Sequence, residues 1–243
     1  MAPVEIDGNP ITGATIDGTD VQEITVDGDV VFSAGAAANI IDNFEDTPDG
    51  IYGPGDTLST YYSGRLNHSR STDSGAEGSK VIDHDISGPG IGFSFSKPGD
   101  GLNAYPQAGD EVAFLFRPTN SIAGGLGVGL QDEDNGYLYS YSDGTQNMRI
   151  WEINGGSASV LQGQSLTLTS DEWYWGQGTV PISNSNLVWE IYNANTGNTP
   201  PTRGSFIQSI SVTDSTFSGA GIGPGVVGTS TTNGGVLDFI HIV

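Results

Sequence analysis

The chain contains no cysteine, which removes disulfide cross-links, thiolate metal ligands and thiol nucleophiles together. Positive charge is scarce: seven Lys and Arg residues stand against 29 Asp and Glu, a formal net charge of -22, and only Lys80 and Lys97 are lysines. So few bases form no basic stripe, which excludes nucleic acid as a partner class. No stretch approaches the ~20 apolar residues of a membrane-spanning helix. The opening MAPVEIDG has neither the basic start nor the apolar run of a signal peptide. Long segments of Leu, Ala, Glu and Lys are also missing, and with them the material for extended helices.

What is present is glycine, the commonest residue at 37, together with abundant Ser, Thr, Asn and Asp. That composition favours short strands joined by turns, an all-β protein. At 243 residues the chain accommodates one large β domain, or a small module plus one domain. An acid excess of this size makes a compact fold repel itself in dilute buffer. In molar salt the Debye length falls to about 3 Å and most of that repulsion disappears. The Lys-poor, acid-rich composition resembles that of proteins from salt-adapted archaea.

The first thirty residues repeat a triplet every ten positions: Ile6-Asp7-Gly8, Ile16-Asp17-Gly18 and Val26-Asp27-Gly28. Asp-Gly between β-forming residues is a strong hairpin signal, because a tight turn requires positive φ and Gly supplies it. Ten-residue spacing without a G-G-x-G-x-D signature argues against a calcium-binding repeat. Residues 1–33 therefore read as a small β-hairpin segment whose core is too small to stand alone. It is expected to attach the chain to other proteins or to join copies in a homo-oligomer. The small residues 34–38 read as a linker, and residues 39–243 as one domain.

In that domain, alternating segments are separated by turn clusters. EVAFLFR places Val112, Phe114 and Phe116 on one face, and GYLYSYSDG does the same for Tyr137, Tyr139 and Tyr141. MRIWEINGG ends in a glycine pair, and NLVWEIYNANTGN alternates Leu187, Trp189 and Ile191. With KVIDHDI, IGFSFS, LGVGLQD, SLTLT, SFIQSISV and the final GGVLDFIHIV, about ten strands are expected, arranged as a two-sheet jelly-roll sandwich. The acidic run in QDEDNGYLYS lacks the spacing of an EF-hand loop and reads as a solvated turn.

DNFEDTPDG, YYSGRLNHSRSTDSGAEGSKVI, AGDEVAFLFRP, GVGLQDEDNGYLYSY, TSDEWYWGQ and GGVLDFIHI together resemble the concanavalin-like (laminin-G-like) jelly-roll domains of surface proteins. The N-F-E and G-S-K-V-I pieces also resemble a type of carbohydrate-binding module. The resemblance implies a structural Ca2+ where the first strand meets the last, held by Glu45, the carbonyl of Gly78 and Asp238. Asp238 lies in VLDFIHI, in phase with Val236 and Ile240, so its carboxylate is expected on an otherwise apolar face. There a hard cation would be one good partner and a set of hydrogen bonds another.

Exposed aromatic rings beside carboxylates and amides are how sugars are held. Tyr137, Tyr139, Arg149 and Trp151 are the candidates here, whereas Trp189 and Phe114 are assigned to the core. Catalysis has weaker support. No strand carries alternating acids of the E-x-D-x-x-E kind that would place a glycosidase pair about 5 Å apart. There is no G-x-S-x-G, and His68, His84 and His241 are scattered. The expectation is a non-enzymatic virion protein of a haloarchaeal virus, a tail fibre, receptor-binding protein or turret exposed on the particle and binding host glycans. A jelly-roll glycoside hydrolase or lyase acting on surface polysaccharide is the alternative.

The charge excess makes the first prediction. The thermal unfolding midpoint, followed by circular dichroism, rises as NaCl is increased from dilute buffer to the molar range; a flat profile would mean that the acidic surface is not a salt adaptation.

Overall fold

A computed structural model of the chain describes, with side chains, residues 106–118, 125–132, 134–142, 144–182, 186–197, 200–219, 236–238 and 240–243; elsewhere it describes strand backbones alone. The chain divides into two compact units, Met1–Asn39 and Ile40–Val243.

The first unit contains six short strands: β1 (Glu5–Ile6), β2 (Asn9–Pro10), β3 (Thr15–Ile16), β4 (Thr19–Asp20), β5 (Glu23–Val26) and β6 (Asp29–Ser33). They form three separate antiparallel pairs, closed by Ile6↔Asn9, Ile16↔Thr19 and Val26↔Asp29. Each register leaves only an Asp-Gly dipeptide between the strands, the loop length of the tightest hairpins. The repeat in the sequence is thus a repeat of hairpins. The expected linker, residues 34–38, lies outside the described residues.

In the second unit the strands are, in chain order, β7 (Asn39–Asp42), β8 (Gly50–Tyr52), β9 (Tyr62–Gly64), β10 (His68–Thr72), β11 (Lys80–Asp83) and β12 (Gly92–Ser96). They continue with β13 (Glu111–Arg117), β14 (Gly124–Asp132), β15 (Asn135–Ser142), β16 (Asn147–Asn154) and β17 (Ser157–Ser165). The last are β18 (Tyr174–Thr179), β19 (Asn186–Asn195), β20 (Thr202–Thr213), β21 (Gly225–Gly228) and β22 (Val236–Ile242). They build two sheets, so the unit is all-β, a two-sheet sandwich as expected. The larger sheet runs β20-β19-β18-β13-β22-β11-β10-β8, with β7 also on β22; the smaller runs β17-β16-β15-β14-β21-β12-β9. The last two strands enter the middle of the two sheets, β22 between β13 and β11, β21 between β14 and β12. Both sheets therefore depend on contacts that are distant in sequence. Among the described residues no helix is long and apolar enough to cross a membrane.

The core lies between the sheets, and strand alternation decides its membership. From the larger sheet come Phe114, Phe116, Leu187, Trp189 and Ile191; from the smaller, Leu126, Tyr137, Tyr139, Tyr141, Met148 and Ile150. Trp189 is sandwiched, its ring stacked 5.4 Å from Phe114 and 5.7 Å from Tyr139. The neighbouring strand β18 makes room. A Cβ at Gly176 would collide with the Trp189 ring, and one at Gly178 with the Tyr139 ring. The inward positions of YWGQG after Tyr174 are glycine because two large rings occupy that space.

Three inward tyrosines also use their hydroxyls. Tyr139 donates to the carbonyl of Thr179 at 2.8 Å, and Tyr141 donates to the carbonyl of Leu166 at 3.2 Å while accepting from the amide of Leu168. Tyr137 donates to the carboxylate of Asp214 and accepts from the amide of Phe217, whose ring packs edge-on against it. The bonds of Tyr141 and Tyr137 fasten the segments after β17 and β20 to the core.

Two local features depart from expectation. SLTLT reads as a strand, but Leu166–Thr169 leave the sheet, held by the Tyr141 hydroxyl; the strand is the preceding Ser157–Ser165, whose exposed position at a sheet edge leaves no alternating pattern to read. The register of β22 against β13 shifts, with Phe114↔Ile240 followed by Leu115↔Asp238. The extra residue is a β-bulge, and it reverses the phase of the strand. Leu237 and Ile240 face the core, whereas Asp238 shares the outer face with Leu115 and Val236. Asp238 is thus not in phase with Ile240, although it is fully buried. The hairpin β16–β17 behaves as its sequence requires: Gly155 (φ 58°) and Gly156 (φ 74°) supply the two positive-φ positions of a tight turn.

Gly178→Ala is expected to destabilise the fold by about 1–3 kcal/mol, the usual cost of forcing extra volume into a packed core; urea denaturation checks it, and a neutral result would mean the Tyr139 ring has room to move. A second prediction concerns acid. Burial pushes the Asp214 carboxyl up, but hydrogen bonds from the Tyr137 hydroxyl and the amides of Thr216 and Ser215 outweigh it and hold the group below its ordinary value. A depressed folded-state value gives stability that is present above the unfolded pKa of ~3.9 and lost as pH falls through the folded one. The stability difference between the native chain and Asp214→Asn should therefore shrink as pH is lowered below about 4. A difference that stays constant on acidification would show that the carboxylate charge is not what Tyr137 stabilises.

Candidate functional site

The four residues assigned to sugar contact from the sequence separate onto two faces. Tyr137 and Tyr139 are fully buried with their rings in the core, so neither presents a face to a ligand. This corrects the expectation, and alternation is its cause. Tyr139 pairs with Ile150 and points inward, while Leu138 pairs with Trp151 and points outward. Burial pushes both tyrosine hydroxyls well above their ordinary range, and the Asp214 carboxylate adds to this at Tyr137. They are neutral structural groups.

Arg149 and Trp151 are together on the outside of the smaller sheet. The Trp151 indole N–H donates to Ser140 Oγ at 2.8 Å, and the Arg149 guanidinium lies 5.2 Å from its ring. Beneath them Leu130, Leu138 and Ile153 form a small second apolar cluster, with Ala158 at its border. Trp151 is half-buried and acts as the cover of this cluster.

A richer constellation lies on the outer face of the larger sheet, and sequence reasoning missed it. Two rows of neighbouring residues cross the strands there. One runs Asp238, Leu115, Trp175, Tyr192 and Phe206; the other runs His241, Ala113, Gln177, Glu190 and Ser209. Gln177 is the hub and is 2% exposed. Its amide nitrogen donates to the Glu111 carboxylate at 2.5 Å, and its carbonyl oxygen accepts from the Trp175 indole at 3.2 Å and from Arg203 Nη1 at 3.1 Å.

Arg203, on β20, also lies 4.9 Å above the ring of Tyr192. The Tyr192 hydroxyl donates to Glu190 at 2.6 Å, and burial together with that carboxylate pushes it up to about 12. Phe206 packs edge-on against Tyr192 and keeps 57% of its surface exposed. At the other end of the rows, Trp175 meets His241 edge-on at 4.5 Å, and burial pushes the imidazole down to about 4, so it is neutral near pH 7. The exposed end thus offers the Phe206 ring, the Arg203 guanidinium held by the buried Gln177 amide, and the Glu190 carboxylate held by Tyr192.

Glu45 and Gly78 lie outside the described residues, so the cation arrangement implied for them and Asp238 falls largely outside what the structure describes. Among the described residues no group of three or more His, Asp or Glu is placed to hold a metal ion. The acidic turn is local: the Asp132 carboxylate accepts from the amide of Asp134 at 2.8 Å and from the side chain of Asn135 at 2.7 Å.

No protein-family model matches the chain, and no curated protein does. Among solved structures, a carbohydrate-binding module from Bacillus subtilis aligns with a TM-score of 0.44 at 16% identity, covering 68% of this chain and 84% of the module. A galectin from Caenorhabditis elegans aligns with a TM-score of 0.38 at 9% identity, covering 58% of this chain and 91% of the galectin. A protein of unknown function from Shewanella oneidensis MR-1 aligns with a TM-score of 0.40 at 12% identity, covering 82% of this chain and 74% of its own. Likenesses this distant transfer no residue role to this chain.

Proposed function

We propose that the chain is a non-catalytic, glycan-binding surface protein of a virus particle that works in concentrated salt, and that the sugar sits on the outer face of the larger sheet. The observation that carries the binding reading is Arg203, held by Gln177 and by the Tyr192 ring beside the exposed Phe206. A pyranose would lay its C–H face on Phe206 and present neighbouring hydroxyls to the Arg203 guanidinium and the Glu190 carboxylate. Binding without turnover is favoured because the two carboxylates nearest Arg203 are engaged in positioning bonds, Glu111 with Gln177 and Glu190 with Tyr192. The virion setting is supported by the acid-rich, Lys-poor composition and by the hairpin repeat, which is too small to stand alone and so calls for something to hold.

The test is a glycan array in molar salt followed by calorimetry on the best ligand. Arg203→Ala and Phe206→Ala are each expected to weaken binding by roughly tenfold or more, with Trp151→Ala unaffected. The reverse pattern would move the site to the Arg149–Trp151 platform, and a chain that retains no glycan would overturn the binding reading.

A further inference from the structure

We propose that two copies of this chain associate side by side through β20, the edge strand of the larger sheet, pairing antiparallel about a two-fold axis. The inference begins with where charge is absent. No charged residue occurs from Ile153 to Ser170, and none but Arg203 from Ile191 to Thr213, in a chain whose formal charge is -22. These two stretches contain β17 and β20, and the fold brings them together. Each strand ends its sheet, β17 bonded only to β16 and β20 only to β19, and the two lie against each other along one side of the sandwich. The two acid-free strands therefore lie together along one side of the sandwich.

Among the described strands, β20 pairs along one edge alone. An edge strand presents a row of unused backbone donors and acceptors, and proteins usually blunt it with charge, proline or brevity. Here β20 covers Thr202–Thr213, about twice the ordinary strand length of 5–6 residues, with no acid, lysine or proline. Its register shifts against β19 are confined to the part before Gln208, opposite Ile191–Ala194; from Gln208 to Thr213 the ladder against Asn186–Ile191 is regular. That half is a straight pairing template. It alternates inward Ile210 and Val212 with outward Ser209 and Ser211, so a second copy would extend the same core and the same polar outer face.

A second copy is the occupant that the charges select. Copies that met through acid-bearing surfaces would bring carboxylates into contact, where salt screens least, and like charges brought together across an interface cost several kcal/mol. The β17–β20 side is where they meet without opposing carboxylates. A basic partner would gain nothing from a neutral edge and would be drawn to the acidic surface elsewhere. The proposal is independent of the glycan reading, because the pairing half of β20 lies beyond Arg203 and Phe206.

The experiment uses the full chain in molar NaCl. Sedimentation velocity over a range of micromolar concentrations should show a monomer–dimer equilibrium, and hydrogen exchange should show amides of Gln208–Thr213 gaining protection as concentration rises. Ser211→Glu, at an exposed position of the edge, should raise the dissociation constant by roughly tenfold or more while leaving the circular dichroism spectrum and melting temperature unchanged. A chain that is monomeric throughout overturns the proposal. So does an oligomer indifferent to Ser211→Glu, which would place assembly elsewhere, as in the N-terminal hairpins. So does concentration-independent protection of β20, which would mean that the chain covers its own edge. If Ser211→Glu fails to fold, hydrogen exchange on the native chain still decides the question.

Discussion

The stack of Phe114, Trp189 and Tyr139 is the contact on which the rest of the second unit depends. Phe114 and Trp189 belong to the larger sheet and Tyr139 to the smaller, so the stack is a direct bond between the two layers. It forms only because Gly176 and Gly178, on the strand between β13 and β19, give up their side-chain volume to the rings. The Tyr139 hydroxyl then reaches the carbonyl of Thr179 at the end of that same strand. Stacking and this hydrogen bond together tie the smaller sheet to the larger. Aromatic pairs of this kind contribute ~0.5–1.5 kcal/mol each beyond the area they bury.

The same strand generates the outer constellation. Because successive residues point to opposite faces, the glycines that accept the rings force Trp175 and Gln177 outward. Gln177 is then close enough to the sheet to be almost fully buried, yet its amide must be satisfied, since a buried polar group without partners is costly. Glu111, Trp175 and Arg203 satisfy it, and in doing so they are fixed in place. The core and the candidate site are two faces of one short sequence, YWGQG.

That relation explains what could be read from the sequence. Alternation within one strand is local, so the inward sets Val112–Phe114–Phe116 and Leu187–Trp189–Ile191 were legible, as were the hairpins announced by Asp-Gly and Gly-Gly. What alternation does not tell is which side of a strand is inside, so the sequence groups Tyr137 and Tyr139 with Arg149 and Trp151 although they face opposite ways. The phase of Asp238 failed for a related reason: a bulge is set by the partner strand, and nothing in VLDFIHI announces it. The Gln177 hub was invisible because its members, Glu111, Trp175, Gln177 and Arg203, come from three strands and are joined only when β13, β18 and β20 share a sheet. Long-range pairing carries that information, and a single sequence does not display it.

High salt sharpens the meaning of these arrangements. When the Debye length is only about 3 Å, charges act at contact and not at a distance. An acidic surface then repels ligands or copies only where carboxylates come into contact, and Arg203 attracts nothing beyond its own reach. Recognition under such conditions has to rest on short hydrogen bonds and on stacking, and both reward groups that are already held in position. A guanidinium clamped by Gln177 over Tyr192 meets that requirement, whereas a free surface arginine would lose conformational freedom on binding with no long-range attraction to offset the loss. The neutral edge obeys the same logic: backbone pairing and apolar packing are the interactions that salt does not weaken.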